Sequence, residues 1–250
     1  MTGPAMPTLT RLTARSVVLS VLLGAHPAWA NAAELIRLTA DFDIKESALR
    51  VALTRLVAAG DLVRSADGYR LSDRLLARQL RQDDALHPRR RPWDGYWTTV
   101  VITSVGVAAR SRADLRKTLQ DNRFGELREG VWLRPDNLDH QLAGDDLGRV
   151  RVLHSRDDSP MQLAGQLWDL SGWAHGARRL LDDMDQATDV PGRFVAAAGV
   201  VRHLLSDPVL PDELLPHGWP ADALRGAYED FAAELAARRD STDVVEVTRK

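Results

Sequence analysis

Residues 34–72 read ELIRLTADFDIKESALRVALTRLVAAGDLVRSADGYRLS, and their pattern decides the fold of the amino-terminal third of the chain. Between residues 45 and 59, the apolar side chains that recur at helical spacing are Leu49, Ala52, Leu53 and Leu56. This spacing predicts one helix with a buried face. Gly60 follows directly and predicts the end of that helix.

The opposite face of this predicted helix is polar. Arginine can donate to guanine or to phosphate, and small hydroxyls can approach the DNA backbone. The candidate DNA contacts on this face are Ser47, Arg50, Thr54 and Arg55, and Lys45 adds a charge where the helix begins. A solvated amphipathic helix has the same pattern, so the face alone does not establish binding.

The order of the neighbouring elements favours DNA binding. Residues 34–39 predict a short helix and residues 40–44 a turn, while 62–64 and 69–71 can pair as strands around Asp67-Gly68. Helix, turn, helix and a two-stranded hairpin form a winged helix-turn-helix. We therefore expect the hairpin arginines, Arg64 and Arg70, to reach flanking phosphates or the minor groove.

Residues 13–33, TARSVVLSVLLGAHPAWANAA, allow two interpretations. Arginines before a short apolar run, followed by the small-x-small string Ala-Trp-Ala, are typical of a secretory signal peptide. Residues 15–23 can instead form a helix behind the helix-turn-helix pair, which cannot bury its apolar faces alone. We favour this second interpretation, with Trp29 as an apolar anchor before the next helix; an exported protein is the alternative.

The composition is that of a globular chain with an uneven charge distribution. The 250 residues carry a formal net charge of -2 and no cysteine, which excludes disulfides and thiolate metal sites. Residues 1–92 have a net charge of +5 and the remaining 158 a net charge of -7. A basic amino-terminal third suits a DNA-binding head, although chance unevenness gives the same numbers. No apolar run approaches the roughly 20 residues that span a bilayer.

Four strings carry a family resemblance. In chain order they are ESALRVALTRLVAAGDL (46–62), RPWDGYW (91–97), FGELREGVWLRPDNL (124–138) and DPVLPDELLPHGWP (207–220). With these strings the chain resembles the PaaX family from about residue 13 to about residue 237. The members of this family are the repressors of bacterial phenylacetate-degradation operons and their relatives. The resemblance implies a winged helix-turn-helix, a central ferredoxin-like domain and a carboxy-terminal helical domain.

The chain departs from the family pattern at the start of the predicted recognition helix. Lys45 stands where relatives usually carry serine, and lysine is a poorer N-cap than serine. Phe42-Asp43 stands where the family often has phenylalanine-glycine. Both departures put the beginning of that helix in question.

The rest of the chain predicts a sheet followed by helices. Strands are predicted at 97–103, 129–134 and 149–154, with a helix at 110–120, and this order fits a ferredoxin-like sheet. One helix is predicted to contain Leu163, Leu167, Trp168, Leu170 and Trp173 and to continue to Met184, and further helices are predicted at 194–205 and 221–238.

The predicted fold class is α+β and multidomain, with a winged helix-turn-helix, a ferredoxin-like α/β sandwich and a C-terminal helical domain. The predicted divisions are a disordered start (1–12), the winged helix-turn-helix (13–86), a linker (87–92), the ferredoxin-like domain (93–158), the helical domain (159–240) and a tail (241–250).

Signatures of enzymes are absent from the sequence. No G-x-S-x-G, H-E-x-x-H, Walker A or G-x-G-x-x-G string occurs, and the seven histidines form no pair at helical spacing. The central domain that the resemblance implies is similar to small CRISPR-associated nucleases, whose first strand ends in a metal-binding aspartate. Here that strand ends Ile102-Thr103-Ser104, without a carboxylate. We therefore expect no enzyme and no bound metal, with a metal-dependent nuclease as the alternative.

The resemblance also implies a small effector, an aryl-acyl-CoA thioester such as phenylacetyl-CoA, that releases the protein from DNA. Such a ligand needs an aromatic slot and arginines for its phosphates. The candidate residues are Trp97, Trp132, Arg134, Trp168, Trp173, Arg178 and Arg202, although core tryptophans give the same pattern. The resulting hypothesis is a cytoplasmic homodimeric repressor that binds double-stranded operator DNA and no membrane. The sequence does not identify the effector or the operon.

Overall fold

The computed structural model describes residues 12–104, 109–139 and 148–240, which form an α+β fold. The helices are α1 (Ala14–Leu23), α2 (Ala32–Ala40), α3 (Glu46–Ala58), α4 (Asp73–Leu86), α5 (Ala109–Asp121), α6 (Pro160–Leu167), α7 (Leu170–Gln186), α8 (Val190–Leu204) and α9 (Ala221–Asp240), with a 3-10 turn at Asp212–Leu214. The strands are β1 (Trp29–Ala30), β2 (Leu62–Arg64), β3 (Tyr69–Leu71), β4 (Trp97–Ile102), β5 (Gly125–Arg128), β6 (Val131–Pro135) and β7 (Val150–Ser155). The segments predicted as a disordered start and as a tail, Leu12 excepted, lie outside the described residues.

The chain divides into two compact units. Unit 1 comprises Met1–Arg81, Gln186–Ala198 and Glu229–Lys250, and unit 2 comprises Gln82–Asp185 and Gly199–Tyr228. Unit 1 thus draws on the carboxy-terminal helices as well as on the amino-terminal third. The domain divisions expected from the sequence stay a prediction.

The first three helices of unit 1 begin with different caps. The side chains of Thr13 and Asn31 accept hydrogen bonds from backbone N–H groups of the first turns of α1 and α2, and each forms a capping box. Lys45 stands at the N-cap of α3 and makes no side-chain cap hydrogen bond. The predicted helix thus forms in spite of a weak start, because its buried leucines pack against α1 and α2.

A three-stranded antiparallel sheet follows α3, in the order β1-β3-β2. The predicted hairpin strands are confirmed, while Trp29, expected as an anchor, forms with Ala30 a short strand opposite Arg70 and Tyr69. Gly68 is needed for a reason other than a positive φ: a Cβ there would lie 2.5 Å from the carbonyl oxygen of Ala30. The glycine of the Asp-Gly signal therefore makes room for β1.

The opening apolar stretch lies inside unit 1 as helix α1. Val17, Val18 and Leu22 are fully buried, and α1 packs against α2 and α3. At its carboxyl end, the buried Gln79 of α4 donates through Nε2 to the carbonyls of Leu22, Leu23 and Ala25, at 2.9–3.3 Å. The last carbonyls of a helix lack the usual partner one turn ahead. Leu22 O also accepts from the N–H of Ala25, at 3.3 Å, and Gln79 adds a side-chain donor to all three carbonyls.

A buried carboxylate ties α1 to the segments after α3. Asp61 has a side chain only 4% exposed; Arg15 of α1 donates to its Oδ2 at 2.8 Å, and Arg74 of α4 donates to its Oδ1. Both arginines keep most of their surface in water. The charge of Asp61 is thereby neutralised with little desolvation of its partners.

The sheet of unit 2 is four-stranded and antiparallel, in the order β5-β6-β4-β7. One face carries a core cluster around Trp97 and Leu133, and the other a cluster around Val100 and Trp132. Helix α5 covers the second cluster through Leu115 and Leu119. The sequence predicted β4, β6, β7 and α5 but did not predict β5.

The single helix expected between residues 163 and 184 is wrong. Trp168 adopts an extended conformation after α6, and α7 begins only at Leu170. Asp169 caps the new start, since its Oδ1 accepts from the N–H of Gly172 at 2.9 Å. Continuous apolar periodicity hid the break, and the capping aspartate was the signal that could have revealed it.

Candidate nucleic-acid interface

The exposed face of α3 carries the polar side chains singled out from the sequence. Its buried side consists of Leu49, Leu53 and Leu56. The exposed side contains Ser47, Arg50, Thr54 and Arg55, with Lys45 exposed at the N-cap. A helix with this division offers two guanidinium groups, one ammonium group and two hydroxyls to a partner lying along it.

Two of these side chains already have partners on α3. Arg50 donates through Nε and a terminal nitrogen to Oε1 of Glu46, at 2.8 and 2.5 Å, and both side chains are more than half exposed. Thr54 Oγ1 donates to the carbonyl of Arg50 at 3.0 Å. A phosphate or a guanine must therefore compete with Glu46 for Arg50, a cost that the sequence pattern alone did not suggest.

The hairpin positions Arg64 and Arg70 on the surface of the same unit. Both side chains are exposed. Arg70 lies in the central strand, directly between Val63 of β2 and Trp29 of β1. Because β3 is paired on both sides, the backbone that carries Arg70 is held more firmly than that of an isolated hairpin.

A groove runs between the start of α1 and the exposed face of α3. Its cavity volume is about 570 Å³. It is lined by Thr13, Ala14, Arg15, Ser47, Ala48, Val51, Ala52, Arg55 and Leu56. Val51, half exposed, makes this part of α3 more apolar than the sequence analysis assumed.

The seven residues proposed for an effector do not come together. Trp97 and Trp132 lie on opposite faces of the four-stranded sheet, so they cannot line the same slot. Trp97 stacks on Trp168 with ring centroids 6.5 Å apart, on the face that also holds Trp93. Trp132 and the buried Arg134 lie on the α5 side, where Arg134 rests 4.8 Å from the ring centroid of Phe124.

A second aromatic group surrounds Trp173. Its ring stacks on Trp219 at 4.6 Å and lies 4.5 Å from His203. The indole N–H groups of Trp97, Trp132 and Trp173 are buried and meet no acceptor within the described part of the chain. Arg178 is exposed and donates to the carbonyl of Gly218 at 3.2 Å, and Arg202 is exposed on α8.

Two arginines of unit 2 are held inside the fold. Burial lowers the pKa of Arg134 to about 10. The negative charge of Asp136 opposes this shift, and the positive charge of Arg91 adds to it. Burial also lowers the pKa of Arg123, which the charge of Asp207 partly offsets. Arg123, at a positive φ of 66°, donates to the carbonyls of Leu204, the last residue of α8, and of Leu205 and Asp207 after it.

The DPVLPDELLPHGWP string forms a buried anchor that the sequence analysis did not identify. Asp207, fully buried, accepts from Arg225 at 2.5 Å, and Arg225 Nε donates to the carbonyl of Ala85 at 3.1 Å. Asn137 donates to the carbonyl of Val209, whose φ of 52° is strained for a β-branched residue. The string itself was the available signal, because a carboxylate set among prolines and leucines indicates a buried partner.

No cluster of three potential metal ligands forms among His, Asp and Glu side chains of the described residues. Strand β4 ends at Ile102, and Thr103 and Ser104 follow it. Within the described ranges, no helix combines the length and the apolar character needed to cross a membrane.

Three family models match the chain in order. Residues 13–75 match "PaaX-like protein", residues 90–147 match "PaaX protein central Cas2-like domain", and residues 170–242 match "PaaX-like protein C-terminal domain". Among solved structures, the chain is similar to the uncharacterized protein Rv0674 from Mycobacterium tuberculosis. The two are 68% identical with a TM-score of 0.83, over 92% of this chain and 99% of that one. None of the curated proteins matches the chain.

Proposed function

The chain belongs to the PaaX family, whose members are generally transcriptional regulators, and on that premise we propose that it is a DNA-binding repressor released by a small effector. The observation that carries this proposal is the exposed polar face of α3, opposite its buried leucines. In this proposal residues 13–86 act as a winged helix-turn-helix head. Residues 93–158 form a ferredoxin-like domain and residues 159–240 a helical domain.

Helix α3 is the recognition helix in this proposal. It enters the major groove, where Arg50 and Arg55 donate to base edges or phosphates and the hydroxyls of Ser47 and Thr54 approach the backbone. Lys45 neutralises a phosphate at the start of the helix. The hairpin arginines, Arg64 and Arg70, bind flanking phosphates or the minor groove.

A homodimer reads a two-fold operator in this proposal. Two heads bind half-sites roughly 34–36 Å apart, one turn of the double helix. An effector lowers DNA affinity to the extent that it binds more tightly to a state whose head spacing does not match the operator. Repression and release then follow from one equilibrium.

We assign the effector to the aromatic residues Trp97, Trp168 and Trp173 of unit 2. The aromatic contacts support this assignment, because Trp97 stacks on Trp168, and Trp173 stacks on Trp219, which packs against the Trp97 cluster. The buried indole N–H groups of Trp97 and Trp173 would donate to a carbonyl of the ligand, although the equally unsatisfied N–H of Trp132 shows that this feature alone does not distinguish the two faces. Arg178 and Arg202 are exposed and suit the phosphates of an aryl-acyl-CoA. Trp132 and Arg134, on the other face of the sheet, belong to the core in this assignment.

Fluorescence anisotropy with a duplex from the promoter beside the protein's own gene tests the DNA-binding proposal. We expect Arg50→Ala to weaken specific binding by about 1–3 kcal/mol, because a bidentate contact is lost. Arg78→Ala, which removes an exposed arginine from α4, is the matched control and should bind like the wild type. Equal losses in both variants would exclude α3 as the recognition helix.

A second variant should act in the opposite direction. Glu46→Gln frees Arg50 and removes a carboxylate beside the DNA, so affinity should rise several-fold at low salt and less at high salt. Glu126→Gln also breaks an exposed arginine pair, with Arg116, but in unit 2, and should leave the affinity unchanged. A rise for Glu126→Gln would indicate a general charge effect.

Effector release is tested with the same duplex. Phenylacetyl-CoA should lower the affinity, while free coenzyme A, which lacks the acyl group, should have less effect. Trp168→Ala should reduce the response to phenylacetyl-CoA without changing DNA affinity in its absence. A wild-type response identical for both ligands would remove the aromatic slot from the proposal.

A further inference from the structure

Val51 stands at the centre of the exposed face of α3. The helix buries Leu49, Leu53 and Leu56, and Val51, which is 50% exposed, points away from them. Residues three or four positions apart are neighbours on the surface of a helix. For Val51 these neighbours are all exposed, and they are Ser47, Ala48, Thr54 and Arg55. A partner that contacts both hydroxyls and the guanidinium group must therefore also contact Val51.

The groove beside Val51 combines apolar and cationic side chains. Val51 lines it from α3 together with two small residues, Ala48 and Ala52. Arg55 of α3 and Arg15 of α1 add two guanidinium groups, and none of the nine residues that line the groove is acidic. This surface suits an anionic partner that carries a small apolar group close to its charge.

The major groove of double-stranded DNA offers both features. Phosphates flank it on each side, and the 5-methyl group of thymine is the apolar group among its base edges. The edges of guanine, adenine and cytosine present chiefly hydrogen-bond donors and acceptors, which a valine would desolvate without replacing their bonds. Contact with Val51 therefore favours thymine over the other three bases.

The alternative partner, an apolar helix of another protein, fits this surface less well. Such a helix binds through large apolar side chains that recur over several turns. Along the fully described helix α3, only Val51 is an exposed large apolar side chain. The cationic groups around it match the charge of a nucleic acid.

We propose that Val51 determines part of the operator sequence by packing against the 5-methyl group of a thymine in each half-site. This inference rests on the proposed function and names the base that the centre of α3 recognises. Ala48 leaves space for the base beside Val51, and Arg55 binds an adjacent phosphate. Because a β-branched side chain has one strongly preferred rotamer in a helix, Val51 loses little freedom when the base covers it.

Exchange of thymidine for deoxyuridine tests the contact directly. The exchange removes the methyl group and leaves the hydrogen-bonding groups of the base pair in place. Each thymidine of the duplex from the promoter beside the protein's own gene is exchanged in turn, and fluorescence anisotropy gives the affinity of the full chain. We expect one position in each half-site at which the exchange weakens binding about fourfold, the effect of one buried methyl group.

Val51→Ala should remove this dependence on the methyl group. The variant should bind the thymidine and deoxyuridine duplexes equally, and the thymidine duplex several-fold more weakly than the wild type does. Alanine is a better helix former than valine, so the variant should remain folded, which circular dichroism checks. Val63→Ala, at a valine that is 38% exposed on β2 of the same unit, is the matched control and should keep the wild-type dependence.

The possible failures of this inference and of the proposed function can be told apart. If the wild type binds the duplex but no exchange weakens binding, or if Val51→Ala keeps the wild-type dependence, the inference is overturned while the DNA-binding proposal stands. Loss of the dependence in Val63→Ala as well would also overturn it, because the effect would then not be specific to Val51. A wild type that binds no promoter duplex would contradict the DNA-binding proposal and, with it, this inference.

Discussion

Unit 1 and unit 2 use their arginines differently. In unit 1 the buried Asp61 binds Arg15 and Arg74, whose side chains stay 61% and 70% exposed. In unit 2 the buried Asp207 binds Arg225, whose side chain is 7% exposed. Arg50, likewise in unit 1, pairs with an exposed glutamate one turn away on its own helix.

This difference shows which cationic groups remain available to a partner. An exposed guanidinium keeps most of its hydration, so its ion pair contributes little and is easily exchanged for a phosphate. A buried guanidinium has lost its water and depends on each remaining hydrogen bond. Arg15, Arg50 and Arg74 of unit 1 therefore stay accessible to a partner. Arg123 and Arg225 of unit 2 are instead committed to the fold.

The largest expected effect is the loss of the buried pair in unit 2. Arg225→Met leaves Asp207 buried without its cation, and should lower the free energy of unfolding by about 3–5 kcal/mol. Urea unfolding followed by tryptophan fluorescence reports on this unit, because six of the seven tryptophans lie in it. Asp222→Asn, which removes the exposed partner of Arg225, should cost less than about 1 kcal/mol. Similar losses of unfolding free energy for Arg225→Met and Asp222→Asn would show that the buried ion pair contributes no more than the exposed one.

A smaller loss is expected for the corresponding carboxylate of unit 1. Asp61→Asn should cost about 1–3 kcal/mol, since Arg15 and Arg74 are exposed and regain water when the charge is removed. Thermal unfolding followed by circular dichroism measures the change. Arg15→Met alone should cost under about 1 kcal/mol because Arg74 remains. If Asp61→Asn lowered the free energy of unfolding as much as Arg225→Met, the exposure of the arginine partner would have no influence on the strength of the ion pair.

The weak cap of α3 gives a third test, in which stability and binding move in opposite directions. Lys45→Ser supplies a side-chain acceptor for the first turn and should stabilise the protein by about 1 kcal/mol. The same change removes a cation from the proposed DNA face and should reduce DNA affinity several-fold. Unfolding and anisotropy measurements on one preparation check both. An unchanged affinity would place Lys45 outside the interface.

The smallest expected effect concerns the capped start of α7 in unit 2. The N–H of Gly172, and then the hydroxyl of Ser171, hold the pKa of Asp169 below its ordinary value. A carboxyl with a lowered pKa in the folded state contributes stability at neutral pH that is lost as the pH falls through that pKa. Asp169→Ala should therefore lose less stability than the wild type between neutral pH and about pH 3. A steeper loss of stability with falling pH in Asp169→Ala than in the wild type would contradict a stabilising role for the ionised Asp169.

Local patterns predicted α1, α2, α3 and the hairpin of unit 1, but not α4. The leucine periodicity of α3 and the Asp67-Gly68 signal are both encoded within a few residues, so sequence spacing reveals them. Strand β1 was missed because two residues form a strand only when β3 lies beside them. The break between α6 and α7 was missed because the apolar periodicity runs through Trp168.

The anchor around Asp207 could not be read from periodicity, because its partners are distant in the chain. Arg225 follows 18 residues later, and Ala85 and Asn137 come from earlier segments. The effector candidates divide between two faces of the sheet for a related reason. Residues adjacent in sequence, such as Trp132 and Leu133, lie on opposite faces of a strand. The positions of the tryptophans in the sequence therefore do not show which of them could line one binding site.

The close approach of Gly68 to Ala30 limits which changes the hairpin of unit 1 can accept. A side chain at position 68 would collide with the backbone of β1 and displace the segment that leads into α2. Changes that lengthen or reshape the tip of the hairpin would therefore also disturb the helix-turn-helix pair. In the proposed DNA-binding role, altered specificity should be sought by exchanging the exposed side chains of α3 and of β2.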